Sequence, residues 1–290
     1  MSHRTAPVGP LDGAARLRPD GWLDTPLTTS IAHAEAQARA LLPRHHPAAP
    51  GPVRCLTARY RTATFTLGDP PQQLLKRHAA EAAYLGEVLA YQLLQHEAAL
   101  PALHGCSDTA LTLVVDYLDQ PAPLDGPKAW EDLVATVAAV HTAPTRWPAH
   151  TADAMSQWRL DQLLEASTPA WIRDPPAWRL LLQLTADAHG TGHVPLGHLD
   201  LKPDHCRRDN GHLVLIDAET LRPDLTGLPD LITLAYLARD HPDMPPGWIR
   251  QVYRQHCNQL GATWTDASLV RALEAFAQAT GLHSLHGATT

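Results

Sequence analysis

The residues with the most chemical capacity lie between Gly197 and Asp230, in the stretch GHLDLKPDHCRRDNGHLVLIDAETLRPDLTGLPD. Asp200 sits in His198-Leu199-Asp200-Leu201-Lys202-Pro203-Asp204-His205, and a second acid, Asp217, follows the apolar run Leu213-Val214-Leu215-Ile216. Between them Asp209-Asn210-Gly211 supplies residues that tolerate positive φ, which predicts a β-hairpin. Folding back in this way would bring Asp200, His205 and Asp217 into one small volume. Two carboxylates beside cations suit phosphoryl transfer, in which a protein orients a hydroxyl and neutralises charge on the transferring group. In that chemistry Asp200 would accept the hydroxyl proton and Asp217 would hold the metal that bridges the phosphates. Lys202, two residues past Asp200 and pointing the same way along extended chain, would neutralise the γ-phosphate.

The stretch resembles the catalytic and metal-binding loops of the protein-kinase-like superfamily, in particular its aminoglycoside phosphotransferase branch. The usual pattern there is His-Gly-Asp-Leu-His-Pro-Gly-Asn followed by Ile-Asp-[Phe/Trp]-Glu. The matching residues are His198, Asp200, Leu201 and Pro203, then Ile216, Asp217 and Glu219. Gly227-Leu228-Pro229-Asp230-Leu231 looks like a shortened form of the next family segment, in which the acid, here Asp230, braces the catalytic loop. The likeness is strong over residues 193–237, weaker over 53–145 and absent in the first 30. Two residues depart from the pattern: Leu199 replaces a glycine, and His205 replaces the asparagine that is the second metal ligand. Lys202-Pro203 instead matches the Asp-Leu-Lys-Pro of protein kinases.

The resemblance implies an α+β, bilobal protein-kinase-like fold with a small, mainly antiparallel β N-lobe and a larger, mainly helical C-lobe. It implies ATP or GTP as phosphate donor with Mg2+ or Mn2+, the ion held by His205 and Asp217. Lys76 then matches the lysine that grips the α/β-phosphates, and Glu87 its ion-pair partner. Glu81 is the rival, but it lies only five residues past Lys76, which leaves little chain for a turn. Asp116, Tyr117 and Leu118 correspond to the hinge whose backbone would meet the nucleobase. Imidazole nitrogen suits softer metals than an amide oxygen does, so a liganding His205 would weaken Mg2+ binding and favour Mn2+.

The elements that must position these residues follow from pattern. Residues 1–29 lack periodicity and read as a loose arm, with the N-terminal lobe over 30–120 and the C-terminal lobe over 121–290. SIAHAEAQARALL, residues 30–42, predicts a helix capped by its serine. VRCLTARYRTATFTL, residues 53–67, predicts two antiparallel strands, and QQLLKRH a third after the Gly68-Asp69-Pro70-Pro71 turn. A helix over 79–96, a loop at Gly105-Cys106-Ser107-Asp108 and a strand over 109–117 complete the first lobe. Residues 53–67 contain no glycine, so the glycine-rich phosphate flap of kinases is missing. Arg59, Arg61 or Thr62 would have to serve in its place. Apolar spacing of three and four predicts helices at 128–143, 153–166, 176–189, 246–260 and 266–282. His141, at the end of the first of these, reads as structural.

With 290 residues the chain can bury a large core, and its formal charge of −7 argues against a nucleic-acid partner. Cys55, Cys106, Cys206 and Cys257 form no Cys-x-x-Cys pair, which points to reduced thiols and a cytoplasmic location. No signal peptide or membrane-spanning run is evident. The leading expectation is an ATP- and magnesium-dependent phosphotransferase acting on a hydroxyl of a small molecule such as an aminoglycoside or another natural product. A kinase for Ser or Thr of a peptide, which would imply a partner enzyme, and a pseudokinase scaffold are the alternatives. Glu219, Asp224, Asp230 and Asp240 are acids that could meet a cationic acceptor.

Overall fold

The computed structural model describes residues 26–94, 96–155, 159–190, 192–220 and 226–281. The arm expected over residues 1–29 lies outside the described residues up to residue 25, and Asp224 lies outside them too. The chain separates into two compact units, the first made of residues up to 120 without 96–99, the second of 96–99 and everything from 121 onward. Segment 96–99 joins the second unit through hydrogen bonds. The Leu215 N–H donates to the Ala99 carbonyl at 2.8 Å, and the Arg146 guanidinium forks onto the Glu97 carboxylate at 3.0 and 2.5 Å.

In the first unit α1 (Ile31–His45) lies on an antiparallel five-stranded sheet ordered β1-β2-β3-β5-β4. Its strands are β1 (Val53–Ala58), β2 (Thr62–Leu67), β3 (Gln73–His78), β4 (Leu103–Ser107) and β5 (Thr112–Asp116), with α2 (Glu81–Leu93) between β3 and β4. Ser30 caps α1 by accepting from the His33 N–H. Four-residue spacing puts Ala34, Ala38 and Leu42 on one helical face, where they pack against Val53, Ala63, Phe65, Leu67 and Leu75. Because strand residues alternate, covering Ala63, Phe65 and Leu75 turns Thr62, Thr64, Lys76 and His78 to the opposite face.

One expectation fails here. The region expected as a loop around Gly105-Cys106-Ser107 is strand β4, paired with β5, and the strand expected from Thr109 begins only at Thr112. LHGCS lacks strand propensity, but an unfilled sheet edge supplies the backbone hydrogen bonds that composition does not advertise.

The second unit contains α3 (Pro127–Thr142), α4 (Ala149–Ala154), α5 (Leu160–Glu165) and α6 (Pro175–His189). The hairpin of β6 (Cys206–Asp209) and β7 (His212–Leu215) follows, then α7 (Leu228–Leu237), α8 (Pro246–Gln259) and α9 (Asp266–Thr280). Asn210 and Gly211, at φ 47° and 85°, form the hairpin turn, as their residue types predict. The single helix expected over 153–166 is two short ones, α4 and α5, and residues 156–158 lie outside the described residues. Helix α7 had no counterpart in the periodicity. Leu228, Leu231, Ile232, Leu234 and Ala235 bury so much of its surface that no polar stripe marks it. No helix among the described residues is long and apolar enough to cross a membrane.

Candidate active site

The loop carrying Asp200 is held from beneath by one buried acid. Asp230, in the first turn of α7 and 1 % exposed, accepts from the His198 N–H at 2.6 Å through Oδ2 and from the Leu199 N–H at 2.7 Å through Oδ1. The His141 Nε2–H donates to the same carboxylate at 3.1 Å, and His141 Nδ1 accepts from the Tyr253 hydroxyl at 2.8 Å. Both Asp230 oxygens are therefore committed to the loop and to α3, so Asp230 does not serve as an acid for a cationic acceptor. Gly227 begins α7 where a Cβ would come within 2.9 Å of the Leu196 carbonyl oxygen, which is why no side chain fits there.

This brace holds an unfavourable backbone in place. Leu199, at the position where the resembled pattern has glycine, adopts φ 64°, a left-handed conformation costing roughly 1–2 kcal/mol for an L-residue. The two charge-assisted hydrogen bonds that Asp230 accepts from the loop, each stronger than a neutral one, offset that cost. Asp217 is also left-handed, at φ 61°, a region in which aspartate is tolerated more readily than leucine. His198 links the two turns. Its Nε2–H donates to the Ile216 carbonyl at 2.7 Å, and its carbonyl accepts from the Thr220 hydroxyl.

Asp200, His205 and Asp217 do converge. A short 3-10 turn at Pro203–His205, closed by the His205 N–H on the Lys202 carbonyl, and an Ile216 N–H bond to the His205 carbonyl set the imidazole between the two acids. His205 Nε2 lies 3.4 Å from Asp217 Oδ2, and Nδ1 lies 3.9 Å from Asp200 Oδ2. Burial holds the His205 pKa below its ordinary value; Asp217 and Asp200 oppose that shift, while His198 and Lys202 reinforce it. The ring is thus neutral at neutral pH and keeps a lone pair on one nitrogen. Its Nδ1 is buried with no hydrogen-bond partner among the described residues. His205 Nε2 and Asp217 make a nitrogen–carboxylate pair that could hold a divalent cation, while Asp200 faces the other ring nitrogen. Lys202 Nζ donates to Asp200 Oδ2 at 2.7 Å, so the two point the same way, as their spacing predicts.

In the first unit Lys76 pairs with Glu87, across from β3 to α2, at 2.9 Å. Glu81 sits in the first turn of α2. A residue that sequence reasoning passed over completes the pair. His78, two positions beyond Lys76 on the same strand face, places Nε2 2.9 Å from the same oxygen, Glu87 Oε2. The period-two spacing from Lys76 was its only signal in the sequence. Burial works to raise the Glu87 pKa, but Lys76 and His78 together hold it below the ordinary value, so the carboxylate is ionised.

The expected hinge residues are partly engaged within the first unit. The Asp116 N–H donates to the Ala102 carbonyl and the Tyr117 N–H to the Gln72 carbonyl, both at 3.0 Å. A backbone nitrogen has one hydrogen to donate, so neither N–H remains for a nucleobase. Asp116 also accepts from His104 Nε2 at 2.6 Å. At the glycine-free β1–β2 turn the Arg59 N–H closes on the Thr62 carbonyl at 3.0 Å, and Arg61 lies 5.4 Å from the centre of the exposed Tyr60 ring.

Comparison with known proteins agrees with this architecture. No protein-family model and no curated protein sequence matches the chain. Among solved structures it is similar to a macrolide 2′-phosphotransferase from Brachybacterium faecium, at 18% identity and a TM-score of 0.53, covering 89% of this chain and 93% of that one. It is also similar to an amicoumacin kinase in complex with AMP-PNP, Ca2+ and Ami, at 15% identity and a TM-score of 0.50, covering 87% and 84%. At these identities the likeness establishes the fold alone, which is α+β and protein-kinase-like.

Proposed function

We propose that this protein is a nucleotide-dependent phosphotransferase that moves the γ-phosphate of ATP or GTP to a hydroxyl of a small natural product, such as an aminoglycoside. One observation carries the reading. The loop braced by Asp230 holds Asp200 beside a neutral imidazole that in turn faces Asp217. The similarity in fold to a macrolide 2′-phosphotransferase and an amicoumacin kinase supports it.

In this reading Asp200 takes the proton of the acceptor hydroxyl. Lys202 holds its Oδ2, which leaves Oδ1 to meet the hydroxyl. Lys76, placed by its pairing with Glu87, meets the donor phosphates. Asp217 and His205 are the residues that would hold a divalent ion, Mg2+ or, given the imidazole nitrogen, Mn2+. Such an ion supplies neutralisation of phosphate charge.

The test is calorimetric titration of the whole protein with ATP and GTP in the presence of Mg2+ or Mn2+, followed by nucleotide-consumption assays. The acceptors to be offered are aminoglycosides, macrolides, other hydroxylated metabolites and Ser/Thr peptides. Binding in the micromolar range with consumption driven by a small hydroxylated compound is the expected result. Turnover with peptides alone would move the acceptor class, and nucleotide binding without any turnover would make the protein a scaffold. No nucleotide binding at all would end the phosphotransferase reading.

A further inference from the structure

The buried pair in the first unit is a trio, and its geometry is more specific than an ion pair requires. Lys76 Nζ and His78 Nε2 approach one and the same oxygen, Glu87 Oε2, each at 2.9 Å. All three side chains are buried, at 7 %, 4 % and 0 % exposure for Lys76, Glu87 and His78. His78 is itself fixed twice over. Its backbone N–H donates to the Leu111 carbonyl at 2.9 Å, and its ring meets the edge of Tyr84, one helical turn before Glu87, with centroids 6.2 Å apart. Tyr84 in turn donates its hydroxyl to Asp108 at 2.7 Å.

A glutamate carboxyl turns freely about its last torsion, which has broad minima rather than sharp staggered wells. With an ammonium as sole partner it could rotate and take the flexible lysine with it, because a point charge imposes little direction. A ring N–H is directional. Anchored on β3 beside Lys76, it holds Oε2 at a set place and leaves the carboxylate one orientation.

We infer that His78 is a positioning residue for the donor phosphates: by holding Glu87 Oε2 from the same strand face as Lys76, it fixes where the Lys76 ammonium sits. This inference rests on the phosphotransferase reading, in which Lys76 meets phosphate. It assigns His78 no contact with the nucleotide. The effect is therefore confined to ligands carrying phosphates, and an adenosine without them does not sense it.

The experiment compares ATP and adenosine binding by the full chain as wild type, His78→Leu and His78→Gln. Glutamine carries an N–H donor near the position of imidazole Nε2, whereas leucine carries none. The expected outcome is about tenfold weaker ATP binding in His78→Leu, a loss of about 1.4 kcal/mol. Adenosine binding should stay unchanged, and His78→Gln should return ATP affinity to within about threefold of wild type, about 0.7 kcal/mol. Equal losses for ATP and adenosine would mean a purely structural role and overturn the inference, as would unchanged ATP binding in His78→Leu. If His78→Leu does not fold, His78→Asn, polar but too short to reach Glu87, reads the same contrast, and wild-type ATP affinity there overturns the proposal. Absence of ATP binding by the wild type removes the phosphotransferase reading and this inference together; binding that ignores His78 removes the inference alone.

Discussion

The two units each carry an ionic cluster of lysine, acid and histidine, and the clusters differ in exposure. In the first, Lys76, Glu87 and His78 are sealed off, with side chains no more than 7 % exposed. In the second, Lys202, Asp200 and Asp217 are 54 %, 39 % and 43 % exposed around a His205 at 11 %. A buried cluster has to balance its own charge, because desolvation costs several kcal/mol per unpaired ion. There the Glu87 carboxylate meets the Lys76 ammonium and the His78 imidazole. The open cluster can afford two carboxylates flanking one imidazole, since water screens them. The sealed trio suits a fixed grip, and the open group suits an exchange of protons and ions with arriving ligands.

The largest effect separating the clusters should come from Asp200→Asn. Removing the proton acceptor while keeping its shape should lower turnover by about 10²–10⁴-fold, with nucleotide affinity retained. Steady-state kinetics beside calorimetry would show both, and wild-type turnover in this variant would take Asp200 out of the base role.

Stability should invert that ranking. Glu87→Ala leaves a buried ammonium without its acid and should destabilise the fold by about 3–5 kcal/mol. Asp217→Asn, at an exposed site whose left-handed backbone asparagine also tolerates, should change stability by less than about 0.5 kcal/mol. Urea denaturation of the two variants makes the comparison directly, and similar losses in both would mean that exposure is not what distinguishes the clusters.

The third effect belongs to buried histidines outside both clusters. In the first unit His46, bonded to the Thr112 hydroxyl at 2.8 Å, has its pKa lowered to about 4 by burial and by neighbouring His45. In the second, burial and then His141 lower His189 to about 3, and its Nε2 accepts from Trp264 at 3.2 Å. The unfolded chain binds these protons near pH 6.5, before the folded protein does, so the neutral forms contribute stability above that pH. The contribution drains away as pH falls towards 4 for His46, by at most about 3 kcal/mol, and further down for His189. Thermal melts across this range should show wild type losing stability faster than His46→Gln. Parallel pH profiles would assign the acid loss to other groups.

Much of this architecture is legible in the residues themselves. Asn210-Gly211 predicts the hairpin turn because few other pairs accept positive φ twice in succession, and the alanine and leucine spacing of residues 30–42 predicts α1. Glu87 opposite Lys76 is what the resemblance implies, and the short chain between Lys76 and Glu81 argues against the rival. Strand β4 and helix α7 were not legible, one because its residues have no strand character, the other because it is apolar nearly all round.

What the sequence by itself determined is local: which segments could bend, alternate or coil, and which residues carry proton and metal chemistry. Covalent spacing and side-chain type set those properties before any fold exists. The resemblance already implies that Asp230 braces the loop, but tertiary structure alone decided which N–H groups it holds and that Leu199 would sit in a glycine-like conformation. It alone decided, too, that His78 would share an oxygen with Lys76. Each of these depends on partners brought together from distant segments, and their energies exist only once burial has removed the competing water.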